Sequence, residues 1–256
     1  MSMEIRCIFP ELRPMVGFAA TGTIRAREPG HGDQTAPGAR VAIWGHRPDL
    51  GETADILQKS GRLVCAVDAD LGDRGQVDAA CSELLEATRV DILVNGAGII
   101  RRGPAVDSPA ADWDAVMAIH LDAAFFLAQR FARPMLERGA GKIINIASVL
   151  SFQGGFNVVG YAAAKHAIAG LTQALANEWA PKGVQVNAIA PGYIRTNLTR
   201  VAFEDPIRQK AILDRIPAGR WGSPSDLVGA AVFLASPASD YVNGHVLAVD
   251  GGWLSR

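Results

Sequence analysis

Short apolar runs alternate with helical patterns from residue 40 onward, and this alternation constrains the fold more than any other feature. Six runs are predicted as strands: 41–44, 63–67, 91–95, 142–147, 184–189 and 246–249. Helices are predicted at roughly 51–60, 74–88, 110–137, 160–180 and 224–236. Successive strand–helix–strand units with right-handed crossovers build one parallel sheet. We therefore expect an α/β fold, a single doubly wound parallel sheet with helices on both faces.

Composition narrows the class of protein further. The chain has 256 residues, 49% of them hydrophobic, and a net charge of -1, as expected for one globular domain without a nucleic-acid surface. Its three cysteines, Cys7, Cys65 and Cys81, lack metal-ligand spacing. We expect reduced thiols in a cytoplasmic protein and no bound metal. Charged residues and prolines interrupt the first twenty residues, so we expect neither secretion nor membrane insertion.

Three residues with complementary chemistry stand close together in the sequence. Tyr161 and Lys165 are four residues apart on a predicted helix, so their side chains share a face. Oxidation of an alcohol requires a base for the hydroxyl proton, and a free tyrosine, with a pKa of about 10, is a weak base at neutral pH. A lysine ammonium one turn away favours the phenolate. Ser148 ends a predicted strand, at the sheet edge where open α/β sheets bind ligands, and is expected to hold the substrate oxygen.

Four segments around these residues carry a family resemblance: Asp91-Ile-Leu-Val-Asn-Gly-Ala-Gly98, Gly141-Lys-Ile-Ile-Asn-Ile-Ala-Ser148, Asn187-Ala-Ile-Ala-Pro-Gly192 and Val249-Asp-Gly-Gly252. Together they resemble the short-chain dehydrogenase/reductase family. The resemblance covers the chain from Gly38 to its carboxyl end. It implies a Rossmann-like domain over residues 39–256 and an NAD(P)-dependent oxidoreductase.

The resemblance also assigns catalytic roles. It implies that Tyr161 is the general acid and base, that Lys165 lowers its pKa and binds the nicotinamide ribose, and that Ser148 holds the substrate oxygen. His120 stands where the family has a fourth catalytic residue, an asparagine. Two interpretations of His120 stay open: a titratable group that keeps the family's bound water, or a packed histidine with one satisfied nitrogen.

Cofactor contacts are implied by the same resemblance. The expected cofactor-binding residues are Gly22, Asp70, Leu71, Asn95, Tyr161, Lys165, Ile194 and Thr196. NAD is the expected cofactor and NADP the alternative. The second predicted strand is followed by Gly45-His46-Arg47, which lacks the acidic residue that repels a 2′-phosphate. Arg47 is either a partner of that phosphate or a solvated turn arginine.

The amino-terminal segment, residues 1–38, departs from the family pattern. Residues 15–22 fit a weak first strand ending in the family's Thr21-Gly22, but Ala26 and Glu28 replace the next two loop glycines. Glu28 would set a negative charge beside a phosphate. One hypothesis is that residues 22–38 are a frameshifted copy of an ordinary glycine loop, because reading these codons one nucleotide later permits a family-like helix. The other is simply a flexible loop.

The longer matches, residues 141–155 and 215–222, resemble family members that act on small sugar acids. They imply a substrate of the 2-dehydro-3-deoxy-D-gluconate or 2-deoxy-D-gluconate type, bound by Ser148, Gln153, Asn157 and Tyr161, with Arg101 or Arg195 available for its carboxylate. Alternatives are oxidation of gluconate at carbon 5, reduction of a 3-oxoacyl group, and a non-catalytic scaffold with impaired dinucleotide binding. The resemblance further implies a homotetramer.

Overall fold

The computed structural model describes residues 16–21, 39–45 and 47–256. Within them the strands are β1 (Val16–Thr21), β2 (Arg40–Gly45), β3 (Leu63–Asp68), β4 (Ile92–Asn95), β5 (Gly141–Ile146), β6 (Val184–Pro191) and β7 (Val246–Val249). The helices are α1 (Arg47–Lys59), α2 (Arg74–Ala87), α3 (Ala110–Met117), α4 (Ala123–Arg138), α5 (Val159–Trp179), α6 (Arg200–Glu204), α7 (Pro206–Leu213) and α8 (Val228–Ala235). The six predicted strands are β2 to β7, with bounds that differ by no more than two residues.

The seven strands form one sheet in the order β3-β2-β1-β4-β5-β6-β7. The pairs β2–β3, β4–β5, β5–β6 and β6–β7 are parallel. This order reverses direction at the centre of the sheet, which is the doubly wound arrangement predicted from the sequence. The carboxyl ends of β4, β5 and β6 therefore lie together at one edge, where ligands bind in such folds.

The first strand differs from the expectation of an all-parallel sheet. β1 runs antiparallel to both β2 and β4, with Val16 opposite Gly45 and Thr21 opposite Arg40. A parallel pair requires a crossover connection, usually a helix, whereas an antiparallel pair does not. The sequence between the two strands contains Pro29, Pro37 and several glycines and has no helical apolar period. Antiparallel pairing is the arrangement that such a connection permits.

Both faces of the sheet are covered by helices, because successive strand residues point to opposite sides. On one face, Trp44 and Ile143 pack with Phe131 of α4 and other residues of α2 and α5. On the opposite face, Ile43 and Ile144 pack with residues of α1 and α8. This is a core on each side of a central sheet.

The helix predicted over 110–137 is observed as α3 and α4, joined by a π-helical turn at Ala118–Asp122. By length and composition the segment Ala110–Arg138 could cross a membrane. Seven of the side chains of α4 are instead buried in the domain. The segment 193–222, which contains Pro206 and Pro217, interrupts the strand–helix alternation of the sequence and is long enough to form a substrate lid. It contains α6 and α7. A separate apolar cluster, which includes Ile212, Trp221 and Trp253, underlies these two helices.

Candidate active site

Ser148 and α5 meet at the carboxyl edge of the sheet. Ser148 follows β5 and caps a short 3-10 helix, accepting a hydrogen bond of 3.1 Å from the Leu150 N–H. Ser151 closes this turn, because its hydroxyl accepts from the Ser148 N–H at 3.3 Å and donates to the Lys165 carbonyl at 2.5 Å. Ser151 thus holds the loop against α5. Ser148 is the serine whose side chain interacts with Tyr161 and lowers the pKa of its phenol.

Tyr161 and Lys165 share one face of α5 as predicted, with the ammonium 5.6 Å from the centre of the Tyr161 ring. Burial raises the pKa of Tyr161, while the hydrogen bond to Ser148 and then the charge of Arg102 act in the opposite direction. Lys165 is buried, donates to the Ile146 carbonyl at 2.5 Å, and has its pKa lowered by burial to about 7. That Lys165 supplies the positive field at Tyr161 stays a prediction, and Arg102 is a further cation, whose charge lowers the Tyr161 pKa.

His120 lies in the π-helical turn and is 3% exposed. Its Nε2 is 2.7 Å from the Ile99 carbonyl oxygen and 3.1 Å from the Ile99 N–H, and no described residue pairs with its Nδ1. Burial, and secondly Lys165, lower the pKa of His120 to about 3. The burial and the low pKa favour the packed neutral histidine with one satisfied nitrogen, and the catalytic role of His120 stays a prediction.

The ring of His120 explains why residue 98 is a glycine. A Cβ on Gly98 would lie 2.4 Å from His120 Cε1, so any larger residue there displaces the ring. The same ring meets Tyr161 edge-on at 5.2 Å between centroids. His120 therefore links the turn after β4 to the tyrosine.

The predicted cofactor residues occupy two parts of the same edge. Asn95, Ile194 and Thr196 follow β4 and β6, and Asp70 and Leu71 follow β3. Asn95 is buried and donates to Asn145 Oδ1 at 2.9 Å, while its own Oδ1 has no partner among the described residues. A buried amide oxygen at this edge fits a hydroxyl-bearing ligand such as a nucleotide ribose.

Other predicted cofactor features are positioned by turns or fall outside the described chain. Asp70 Oδ1 accepts from the Gly72 N–H at 2.8 Å, and Thr199 Oγ1 accepts from the Thr196 N–H at 3.0 Å. Ile194 bridges Gly222, which closes the base of the lid. Gly22 lies outside the described residues, as does the side chain of Arg47.

The predicted substrate residues Gln153 and Asn157 lie between Ser148 and α5. Gln153 is half-buried, Asn157 is exposed, and the Asn157 carbonyl accepts from the Gly103 N–H at 3.0 Å. This bond ties the loop after β4 to the approach to α5. Arg102 belongs to the same loop, and its charge lowers the Tyr161 pKa.

The two arginines proposed for the carboxylate are already engaged. Arg101 pairs with Asp112 at 3.2 Å, and Arg195 lies over the Phe203 ring at 4.4 Å. Arg102 is exposed. Its charge lowers the pKa of Tyr161 and, after the larger effects of Arg208 and Arg215, that of Tyr193. The sequence shows only two adjacent arginines, Arg101 and Arg102, and does not distinguish the one that is available to a substrate from the one that is paired.

An aromatic cluster under the lid was not anticipated. Tyr193 packs against Trp253 at 4.6 Å and Trp221 at 5.4 Å between ring centroids, and Trp221 packs against Phe203 at 5.3 Å. The contacts join the loop after β6, α6 and the carboxyl-terminal turn. They hold α6 against the domain. Among the described residues, no group of three or more histidine, cysteine, aspartate or glutamate side chains could hold a metal ion.

The doubly wound sheet and the Ser148, Tyr161 and Lys165 constellation are those of a dehydrogenase domain, and sequence comparison agrees. Residues 34–254 match the family described as Enoyl-(Acyl carrier protein) reductase. The chain belongs to the short-chain dehydrogenase/reductase family.

Particular relatives act on sugar acids. The chain is 53% identical over 219 residues to 2-dehydro-3-deoxy-D-gluconate 5-dehydrogenase of Bacillus subtilis (strain 168), covering 86% of each chain. Its identity to the Escherichia coli (strain K12) protein of the same name is 50% over 207 residues, covering 80% of this chain and 82% of the relative. The crystal structure of a gluconate 5-dehydrogenase from Burkholderia cenocepacia J2315, in complex with NADP and tartrate, is 41% identical with a TM-score of 0.82. That match covers 86% of this chain and 87% of the relative.

Proposed function

We propose that the protein is an oxidoreductase that moves a hydride between a nicotinamide cofactor and a secondary alcohol or ketone of a small sugar acid, of the 2-dehydro-3-deoxy-D-gluconate type. The placement of Ser148 beside Tyr161, with the Lys165 ammonium 5.6 Å from the Tyr161 ring, carries the proposal. Relatives at 50% identity or more that act on this substrate support it.

Each catalytic residue has a distinct task. Ser148 donates a hydrogen bond to the substrate oxygen, and Tyr161 takes the hydroxyl proton during oxidation or returns it during reduction. Arg102 favours the tyrosinate, since its charge lowers the Tyr161 pKa. His120 is a positioning residue, because it is neutral and packs on Tyr161. A bound nicotinamide ring would accept or supply the hydride.

The cofactor we propose is NADP, with NAD as the alternative. Asp70 and Leu71 would contact the adenine, Asn95 the ribose region, and Ile194 and Thr196 the carboxamide. No acidic residue ends β2, where one would repel a 2′-phosphate. The gluconate 5-dehydrogenase of Burkholderia cenocepacia holds NADP.

The substrate contacts we propose combine polar groups with one cation. Gln153 and Asn157 supply amide groups for hydroxyls, and Arg102 replaces Arg101 and Arg195 as the carboxylate partner on the body of the domain. An arginine fork suits a carboxylate because it can donate two parallel hydrogen bonds. A cytoplasmic homotetramer completes the proposal.

Substrate profiling of the purified chain with NADP+ and NADPH tests the function. We expect turnover with 2-dehydro-3-deoxy-D-gluconate or a related sugar acid, and much less with gluconate or a 3-oxoacyl thioester. A clear preference for either of the last two substrates would favour the corresponding alternative.

Tyr161→Phe tests the chemistry, and Tyr241→Phe is its control because Tyr241 is fully exposed. Loss of the phenol should reduce kcat by about 100-fold to 10,000-fold, the usual contribution of a general acid or base, with the fold intact by circular dichroism. Full activity in the Tyr161→Phe variant would refute the assignment of Tyr161.

A further inference from the structure

Three buried polar atoms without a partner among the described residues belong to side chains that line one cavity. They are Trp44 Nε1, Asn95 Oδ1 and His120 Nδ1. Their residues are 0%, 9% and 3% exposed. Polar atoms buried to this degree are nearly always hydrogen-bonded to protein, water or a ligand. The shared cavity is therefore suited to a polar group.

The cavity lies between the ends of β2 and β4 and the π-helical turn, and Lys165 also lines it. The Asn95 amide donates to the Ala124 carbonyl at 3.3 Å, four residues after His120, so Asn95 lies within one helical turn of the histidine. The space open to the centre of a water-sized group is about 10 Å³. This is close to the volume that one water requires. One water or one hydroxyl group fits.

The three atoms differ in the hydrogen bonds that they can form. The Trp44 indole N–H only donates. The Asn95 nitrogen already donates to the Ala124 carbonyl and to Asn145 Oδ1, which fixes the amide orientation and leaves Oδ1 as an acceptor. His120 Nδ1 can be a donor or an acceptor, because this depends on the tautomer of the ring.

The backbone of Ile99 is compatible with both tautomers of His120. With the proton on Nε2, the ring donates to the Ile99 carbonyl oxygen at 2.7 Å and Nδ1 is an acceptor. With the proton on Nδ1, Nε2 accepts from the Ile99 N–H at 3.1 Å and Nδ1 is a donor. Burial, and secondly Lys165, lower the pKa of His120 to about 3, so the ring is neutral and carries one proton.

We propose that His120 is a tautomeric adapter, which lets this cavity hold either a water molecule or a ribose hydroxyl of the cofactor. The inference rests on the proposed function and deepens it, because it names the cofactor group that the cavity takes. A water donates twice, so it can bond Asn95 Oδ1 and His120 Nδ1 while it accepts from Trp44. A hydroxyl donates only once.

The ribose hydroxyl donates its single proton to Asn95 Oδ1 and accepts from Trp44, so His120 Nδ1 has to be a donor. The change of tautomer moves one proton from Nε2 to solvent water and another from water to Nδ1. The charge of the ring is the same before and after. Both occupants thereby satisfy all three buried atoms.

The test compares adenosine with 2′,3′-dideoxyadenosine, which share the base and the 5′-hydroxyl and differ in the two ribose hydroxyls. Neither carries a phosphate, so the result does not depend on a phosphate loop in residues 22–38. Solid-state nitrogen-15 NMR of sedimented protein labelled in histidine reports which ring nitrogen carries the proton. The sample is kept at about pH 8, above the ordinary histidine pKa of about 6.5.

Two controls identify the His120 signals and their response. The His120 resonances are those lost in the His120→Asn variant. His166 is the internal control, because it is exposed and its Nδ1 lies 2.9 Å from the Ala162 carbonyl oxygen, away from the cavity lining.

We expect the His120 proton on Nε2 in the free protein and with dideoxyadenosine, and on Nδ1 with adenosine, while His166 is unchanged. In calorimetric titrations His120→Leu should weaken adenosine binding by about 2- to 10-fold, the effect of one neutral hydrogen bond. Its dideoxyadenosine affinity should be that of the wild type. His120→Asn should recover part of the loss, since an amide offers both a donor and an acceptor. Thermal melting shows whether each variant is folded.

The outcomes separate the adapter from the proposed function. The same His120 tautomer in all three samples, or no binding of adenosine, overturns the adapter. Equal losses for the two nucleosides in a folded His120→Leu variant overturn it as well. An adenosine-dependent tautomer in a protein that oxidises no sugar acid supports the adapter and refutes the proposed function. Sugar-acid turnover with an unchanged tautomer has the opposite meaning.

Discussion

At the scale of single residues, the site is built from groups whose ordinary charge is suppressed by burial. His120 and Lys165 are both nearly inaccessible, and burial lowers the pKa of each, to about 3 and about 7. A buried cation without a carboxylate partner is costly, so the fold favours the neutral form. His120 and Lys165 are thus less charged than their residue types suggest.

The low pKa of Lys165 predicts a pH-dependent stability. The pKa of Lys165 is about 7 in the folded protein, below its ordinary value of 10.5. Between these two pH values the unfolded chain binds more protons than the folded protein, so the contribution of Lys165 to the free energy of unfolding rises with pH. Lys165→Met removes the penalty and should raise the melting temperature most below pH 7. The gain should shrink as the pH rises, measured by calorimetry from about pH 6 to about pH 9. A gain that is constant with pH would contradict the assignment.

At the scale of elements, the first strand decides whether the pyrophosphate site is intact. Thr21 lies opposite Arg40, at the edge where the parallel strands begin, whereas Ser148, Asn95 and Ile194 lie at the edge where they end. The carboxyl end of β1 therefore lies at the edge away from Ser148, Asn95 and Ile194. The family match begins at residue 34, after the substituted loop positions Ala26 and Glu28. We still propose residues 1–38 as a separate, atypical segment.

The element-scale prediction is that the chain binds NADPH weakly. Losing two charge-assisted hydrogen bonds at a phosphate, each roughly 1.5–3 kcal/mol, weakens binding by about two orders of magnitude or more. Replacing the segment around residues 22–38 with a Thr-Gly-x-x-x-Gly-x-Gly loop and its helix should restore affinity in a fluorescence titration. The same replacement with glutamate at its last glycine is the control. Micromolar affinity of the unmodified chain would refute the prediction.

At the scale of the whole molecule, several large apolar side chains remain exposed. Phe156 before α5 and Phe233 on α8 are 84% and 38% exposed, and Tyr241 is fully exposed. Their positions lie near the elements that the family resemblance assigns to subunit contacts, the long helices and the carboxyl-terminal region. Exposed apolar surface of this kind is typical of assembly interfaces.

We therefore predict a homotetramer of about four times 27.1 kDa in multi-angle light scattering. Phe233→Asp should produce smaller species, because a carboxylate is costly in an apolar interface. Val201→Asp is a matched control, since Val201 is an exposed apolar residue of the lid. A monomeric wild type would refute the assembly.

The sequence by itself determined most of the elements and the neighbours that make up the candidate site. The short apolar runs predicted β2 to β7 to within two residues of their observed bounds, because such a run is a local property of the sequence. The spacing of Tyr161 and Lys165 put both on one helix face, since helical geometry fixes i and i+4 neighbours. The position of Ser148 followed from the strand that precedes it.

Only the tertiary structure decided the features that depend on distant parts of the chain. The antiparallel direction of β1 arises from pairing with two strands, and the low pKa of His120 arises from its burial and secondly from Lys165. Likewise, Arg101 and Arg102 are adjacent and chemically identical, yet Asp112 pairs with the first and the charge of the second acts on Tyr161. Local pattern fixes which element a residue joins, whereas burial and long-range contacts set its charge and partner.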